Sequence, residues 1–101
     1  MGKKLTEKDI EEFKVCIENL KRKKKFWQEA GLYINIDPYT TEWYHKIDTL
    51  IELYKKCIQK GEISEEEEKE AIELARDILD YENQLWKTDI GFIALMKALG
   101  D

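Results

Sequence analysis

The segment DPYTTEWYHKIDTLIELYKKCIQKG, residues 37–61, decides the fold. Asp37 offers a carboxylate to the unpaired N–H groups of a helix start, and Pro38 brings the fixed φ of a first helical position. Trp43, Ile47, Leu50, Tyr54 and Cys57 then recur at spacings of four, three, four and three. That rhythm sets all five on one side of an α-helix. Lys60 and Gly61 end it, because glycine takes the left-handed conformation of a C-terminal cap without strain. A helix with so clean a seam needs neighbours to cover it.

Upstream, Thr6 and Asp9 form a capping arrangement, and Ile10, Phe13, Ile17, Leu20 and Trp27 follow at helical spacing, so the first helix is expected over 7–29, stopping at Gly31. Between the two helices Leu32, Ile34 and Ile36 alternate with Tyr33, Asn35 and Asp37, the period of an extended segment lying along the bundle. Downstream, Ser64 and Glu67 form a second capping box, with the carboxylates of residues 65–68 at the positive end of a third helix. Ile72, Ala75, Ile78, Leu79, Leu85 and Trp86 make its expected apolar face. Thr88 and Asp89 restart the chain before a short, very apolar last helix over 90–99. The expected fold is all-α: an antiparallel bundle of three long helices plus a short C-terminal helix, one domain over residues 1–101. The stretches IEEFKVCI, from Ile10, and IELYKKCI, from Ile51, match at five of eight positions, so the first two helices present similar faces.

Of 101 residues, 39% are charged and 43% hydrophobic, with a net charge of −5. The sum hides an asymmetry: residues 1–29 hold nine Lys/Arg against six Asp/Glu, and residues 62–101 four against twelve. Opposed patches of this kind hold helices, subunits or partners together. No apolar run approaches the roughly 20 residues that span a bilayer. The N-terminus lacks the apolar stretch of a secretory signal, and although MGKKLT fits a myristoylation pattern, Thr6 serves better as a helix cap. Cys16 and Cys57 lie in helical apolar patterns as reduced, core-type thiols, which with the missing signal points to the cytoplasm.

Glu66, Glu70, Glu73, Asp77 and Asp80 form an acidic stripe along the third helix. Such stripes hold Mg²⁺ in helical nucleotide pyrophosphohydrolases of the MazG type, which this one resembles, but there they come paired on two helices. Here the partner stripe is missing, and a solvated face accounts for it. Glu42 and His45 have the Glu-x-x-His spacing by which ferritin-like bundles bind two metals, yet the chain owns one histidine. Neither metal nor cofactor is expected, and no Ser/His/Asp set or glycine-rich phosphate loop supports catalysis. Lys21, Arg22, Lys23, Lys24 and Lys25 put five positive charges in a row before Phe26 and Trp27, a pattern suited to phosphates with an aromatic to stack on a base. Lys24 and Glu82 each interrupt an apolar stripe and are candidates to meet across the bundle.

An aromatic run surrounds the only proline, Pro38. Tyr33, Tyr39, Trp43 and Tyr44 are the types that dominate interface energetics, and the connector holding the first two is longer than most between helices. Trp43 is expected to begin the seam and Tyr44 to look outward, making these four the candidate partner-binding residues. The chain resembles, in size, helical make-up and patchy charge, many small proteins of phages and mobile elements. The leading expectation is a non-enzymatic cytoplasmic protein that binds another protein, as an adaptor, inhibitor or immunity-type factor. A homodimer is expected too, since the similar seams and the apolar tail exceed what three helices cover. A nucleic-acid-binding regulator using the lysine run is the alternative, and a MazG-like metal-dependent hydrolase the third.

Overall fold

A computed structural model describes residues 2–100. Its elements run β1 (Lys3–Lys4), α1 (Glu7–Glu29), α2 (Pro38–Lys60), β2 (Glu62–Ile63), α3 (Glu65–Leu85) and α4 (Asp89–Gly100). The chain is all-α in the expected arrangement, with a minimal two-stranded ribbon added.

Each long helix begins where local chemistry requires. Thr6 accepts the Asp9 N–H at 3.1 Å while Asp9 accepts that of Thr6 at 3.0 Å. Ser64 and Glu67 repeat the exchange at 3.0 and 2.9 Å, and Asp37 takes the Thr40 N–H at 2.8 Å. Two donors at each capping box that water would otherwise have to solvate are thereby paired. Gly61, with φ of 76°, closes α2 by donating to the Cys57 carbonyl at 2.9 Å.

α2 lies in the middle, with α1 and α3 packed along it. The consequence is a flat molecule, 44 × 29 × 19 Å, in which α2 alone must be apolar on two faces. Thr40, Trp43, Tyr44, Ile47, Leu50, Ile51, Leu53 and Cys57 are all buried on it. Toward α3, the Trp43 indole donates to the Ile78 carbonyl at 3.0 Å; toward α1, the Tyr44 hydroxyl donates to the carbonyl of Leu32. The expected outward aim of Tyr44 is therefore corrected: it is fully buried, because a helix between two others has no outward side there.

α3 departs from its expected face in the same way. Its core stripe is Ala71, Ile78 and Leu85, seven apart, with Leu74 and Tyr81 packed beside it. Ile72 and Leu79, one residue further round, are half exposed. The connector is not extended either: Leu32 enters the core, whereas Ile34 and Ile36 stand out from a turn in which the Ile36 N–H reaches the Tyr33 carbonyl at 3.1 Å.

The ribbon, which nothing in the sequence announced, pairs Lys3 with Ile63 and Lys4 with Glu62. Since α1 and α3 follow its two strands directly, their N-termini sit side by side. At the opposite end Phe26, Trp27, Trp43, Tyr44, Tyr81 and Trp86 form an aromatic cluster, with centroids 4.8 Å apart for Trp27–Trp86 and 5.5 Å for Trp43–Tyr81. Aromatic pairs of this kind each add about 1 kcal/mol to plain burial.

Candidate interaction surfaces

The four aromatic candidates divide. Tyr33 and Tyr39 are 61% and 73% exposed, and Ile34 and Ile36 beside them are 43% and 50% exposed. Trp43 and Tyr44 are closed to solvent, at 2% and 0%, so they are core and cannot touch a partner. What remains is a patch on the connector and first turn of α2, fixed from beneath: the Thr41 hydroxyl donates to the Ile34 carbonyl, and the Asp37 carboxylate ties down Thr40. Burying Thr40 completely would be costly without partners. Its hydroxyl has two, Asp37 at 3.1 Å and the Tyr81 hydroxyl at 2.8 Å, so the patch is locked to α3.

Tyr39 also forms the lip of a hollow of about 630 Å³ between the start of α2 and the end of α3. Trp43 and Tyr81 wall it, with Lys46, Asp77 and Lys87 around the rim. Lys46 donates to Asp77 at 3.1 Å and lies 3.6 Å from Glu42. The bond to Asp77, more than the attraction of the two carboxylates, raises the Lys46 pKa. Lys46, Asp77 and Glu42 thus satisfy one another, which suits contact with a polar surface more than capture of a free ion.

The basic run is partly spent inside the fold. Lys24 does not meet Glu82; it donates to Asp48 of α2 at 2.9 Å. Lys23 takes the Glu82 position instead, and the second Glu82 oxygen accepts the Trp27 indole N–H at 2.7 Å. Lys21 stands 3.8 Å from Glu18. Trp27 is fully buried and offers no face to a base. Lys21, Lys24 and Lys25 do converge with Lys55 on a shallow depression of about 310 Å³, but Asp48 and Glu52 line it too.

The acidic stripe is exposed at all five positions. Among the described residues no three His, Cys, Asp or Glu side chains converge as a metal site would require. His45 is exposed on the first turns of α2. Among the described residues, too, no helix is long and apolar enough to cross a membrane. No protein-family model, curated protein or solved structure matches this chain.

The apolar tail, expected to exceed what three helices cover, is where the geometry leaves the second surface. α4 buries only Gly91 and Ala94, while Phe92, Ile93, Leu95, Met96 and Leu99 are 46% to 74% exposed. The signal was present, since Phe92, Leu95, Met96 and Leu99 fall at the i, i+3, i+4, i+7 positions of one ridge. A ridge of that kind is ordinarily taken to face the core, and here it faces away.

Proposed function

We propose that this protein is a non-enzymatic cytoplasmic factor that acts by binding another protein, as an adaptor, inhibitor or immunity-type factor, and that it does so as a homodimer. The observation that carries the proposal is the exposed apolar surface. Thirteen large hydrophobic side chains among the described residues are at least 42% exposed, and most of them gather in two patches: Tyr33, Ile34, Ile36 and Tyr39 on the connector, and the ridge of α4. Single exposed hydrophobes are normal, whereas clusters of them mark places where another molecule sits. Two separate patches suit two separate contacts, one with a partner and one with a second copy.

The connector patch is the partner surface in this reading. Its tyrosines carry large apolar rings with a polar tip and lose few rotamers on binding, and the Asp37–Thr40–Tyr81 network holds the patch in place beforehand, which lowers the ordering cost. The test is affinity purification with the tagged protein, in parallel with a Tyr39→Ser/Ile36→Ser variant. Both side chains are exposed, so the variant should melt with the wild type while losing at least one co-purifying protein. Identical sets of co-purifying proteins would remove the patch from consideration.

The nucleic-acid reading makes a contrary prediction. Phosphate binding by the lysine run would release counterions and fall steeply with salt. With Lys23 and Lys24 already paired to carboxylates, we expect no retention on DNA or RNA even at low salt. Retention that vanishes in Lys21→Glu/Lys25→Glu would favour the alternative.

A further inference from the structure

A surface helix of a small domain normally turns its large apolar side chains inward and its small or charged ones outward. α4 does the reverse. Past Ile90, which packs on the core at its first turn, its inner side is Gly91 and Ala94, and Gly91 approaches the end of α3 so closely that a Cβ there would lie 2.2 Å from the Leu85 carbonyl oxygen and 2.6 Å from the Trp86 Cα. The helix is pressed onto the body by its smallest residues. It carries Phe92, Leu95, Met96 and Leu99 on the far side, uninterrupted by any charged residue.

We infer that this ridge packs on the same ridge of a second copy of the chain, antiparallel, about a two-fold axis passing between Leu95 and Met96. The inference rests on the homodimer reading and supplies its interface. Three observations favour a second copy. The first is area: Phe92, Ile93, Leu95, Met96 and Leu99 are 46% to 74% exposed, and covering them on both copies would remove on the order of 1,000 Å² from water, close to the roughly 1,200 Å² at which specific interfaces begin. The second is self-complementarity. The ridge is symmetric about its own midpoint, since Phe92 and Leu99 lie equally far from the point between Leu95 and Met96, so that turning one copy over sets Phe92 of each against Leu99 of the other. The third is charge. An antiparallel pair opposes the two macrodipoles and keeps each Asp89 away from its counterpart, where a parallel pair would bring like charges together.

A lipid surface is the other occupant an apolar helix suggests. Interfacial helices flank their apolar face with Lys and Arg, whereas α4 has Lys97 alone, 3.8 Å from Glu29, on a chain of net charge −5.

Sedimentation equilibrium at micromolar concentration tests the interface. The wild type should weigh twice the 12.1 kDa chain, and Leu95→Glu/Met96→Glu should raise the dimer dissociation constant by about 100-fold or more with helical circular dichroism unchanged. A second variant guards against misfolding by the charges: Leu95→Cys should cross-link into dimers on mild oxidation, and Val15→Cys, comparably exposed on α1, should not. A dimer that survives the glutamates, with no cross-link through position 95, overturns the α4 interface and leaves the homodimer reading standing. A monomeric wild type overturns both. Pelleting of a monomeric wild type with phosphatidylserine vesicles, lost in the glutamate variant, would assign the ridge to lipid and overturn the inference.

Discussion

Glu82 is the residue on which the aromatic end of the core depends. One oxygen takes the Lys23 ammonium and the other the Trp27 indole N–H, and its side chain is only 14% exposed. Glu82→Ala would leave a buried indole donor and a half-buried ammonium without their partner, and is expected to cost about 3 kcal/mol, read as a fall in the urea midpoint at constant slope. Glu67 governs the other end. Its carboxyl bonds Lys60 at 2.7 Å and caps Ser64 at 2.9 Å; the lysine bond first, then the cap, hold its pKa at about 2, well below the ordinary value of 4.5. Because the folded pKa lies below the unfolded one, its contribution is complete above pH 4.5 and disappears as the pH falls toward 2. The stability gap between wild type and Glu67→Gln should therefore be widest at neutral pH and close through that window. A gap independent of pH would show that the carboxylate charge is irrelevant. The capping pairs were legible from residue order alone, since they are local. Glu82 and its partners were not: Lys23, Lys24 and Trp27 all lie within one turn of α1, and only the docked angle of α3 decides which of them meets it.

At the scale of elements, all four helices could be placed from caps and periodicity, because those signals lie within a few residues of the boundaries they set. What failed was the facing of helices with more than one neighbour. One seam on α2 was evident, and Tyr44 belonged to a second seam that exists only because α1 and α3 flank α2 on two sides. Ile72 and Leu79 failed for a related reason. A stripe seven residues apart and its neighbour one step round look alike in sequence, and packing against α2 chose Ala71, Ile78 and Leu85. Gly91 reverses an expectation as well. As a glycine in a helix it should gain about 1 kcal/mol on replacement by alanine, yet the Cβ would enter the backbone of residues 85 and 86. Gly91→Ala is accordingly expected to lower stability, by roughly 2 kcal/mol from forced displacement of α4, and a thermal melt that rises instead would show that α4 does not seat as described.

The whole molecule is a slab with an aromatic end, a capped end, and its charge divided between α1 and α3. The candidate site was half legible at this scale: residue type picked the aromatic run, and burial removed Trp43 and Tyr44 while adding Ile34 and Ile36. The ribbon has a consequence in time. Contacts between α1 and α2, and between α2 and α3, join neighbours along the chain and close short loops, whereas β1 meets β2 across some sixty residues, with Leu5 donating to the Gly61 carbonyl at 2.9 Å. Closing that loop spans about as much chain as the Lys23–Glu82 contact but returns only a two-residue ladder, so it should come after the rate-limiting step and act as a latch. Leu5→Ala should then leave the refolding rate within about twofold while unfolding accelerates by nearly the full loss of stability. The latch would set how long a folded molecule lasts and have little part in how quickly one forms.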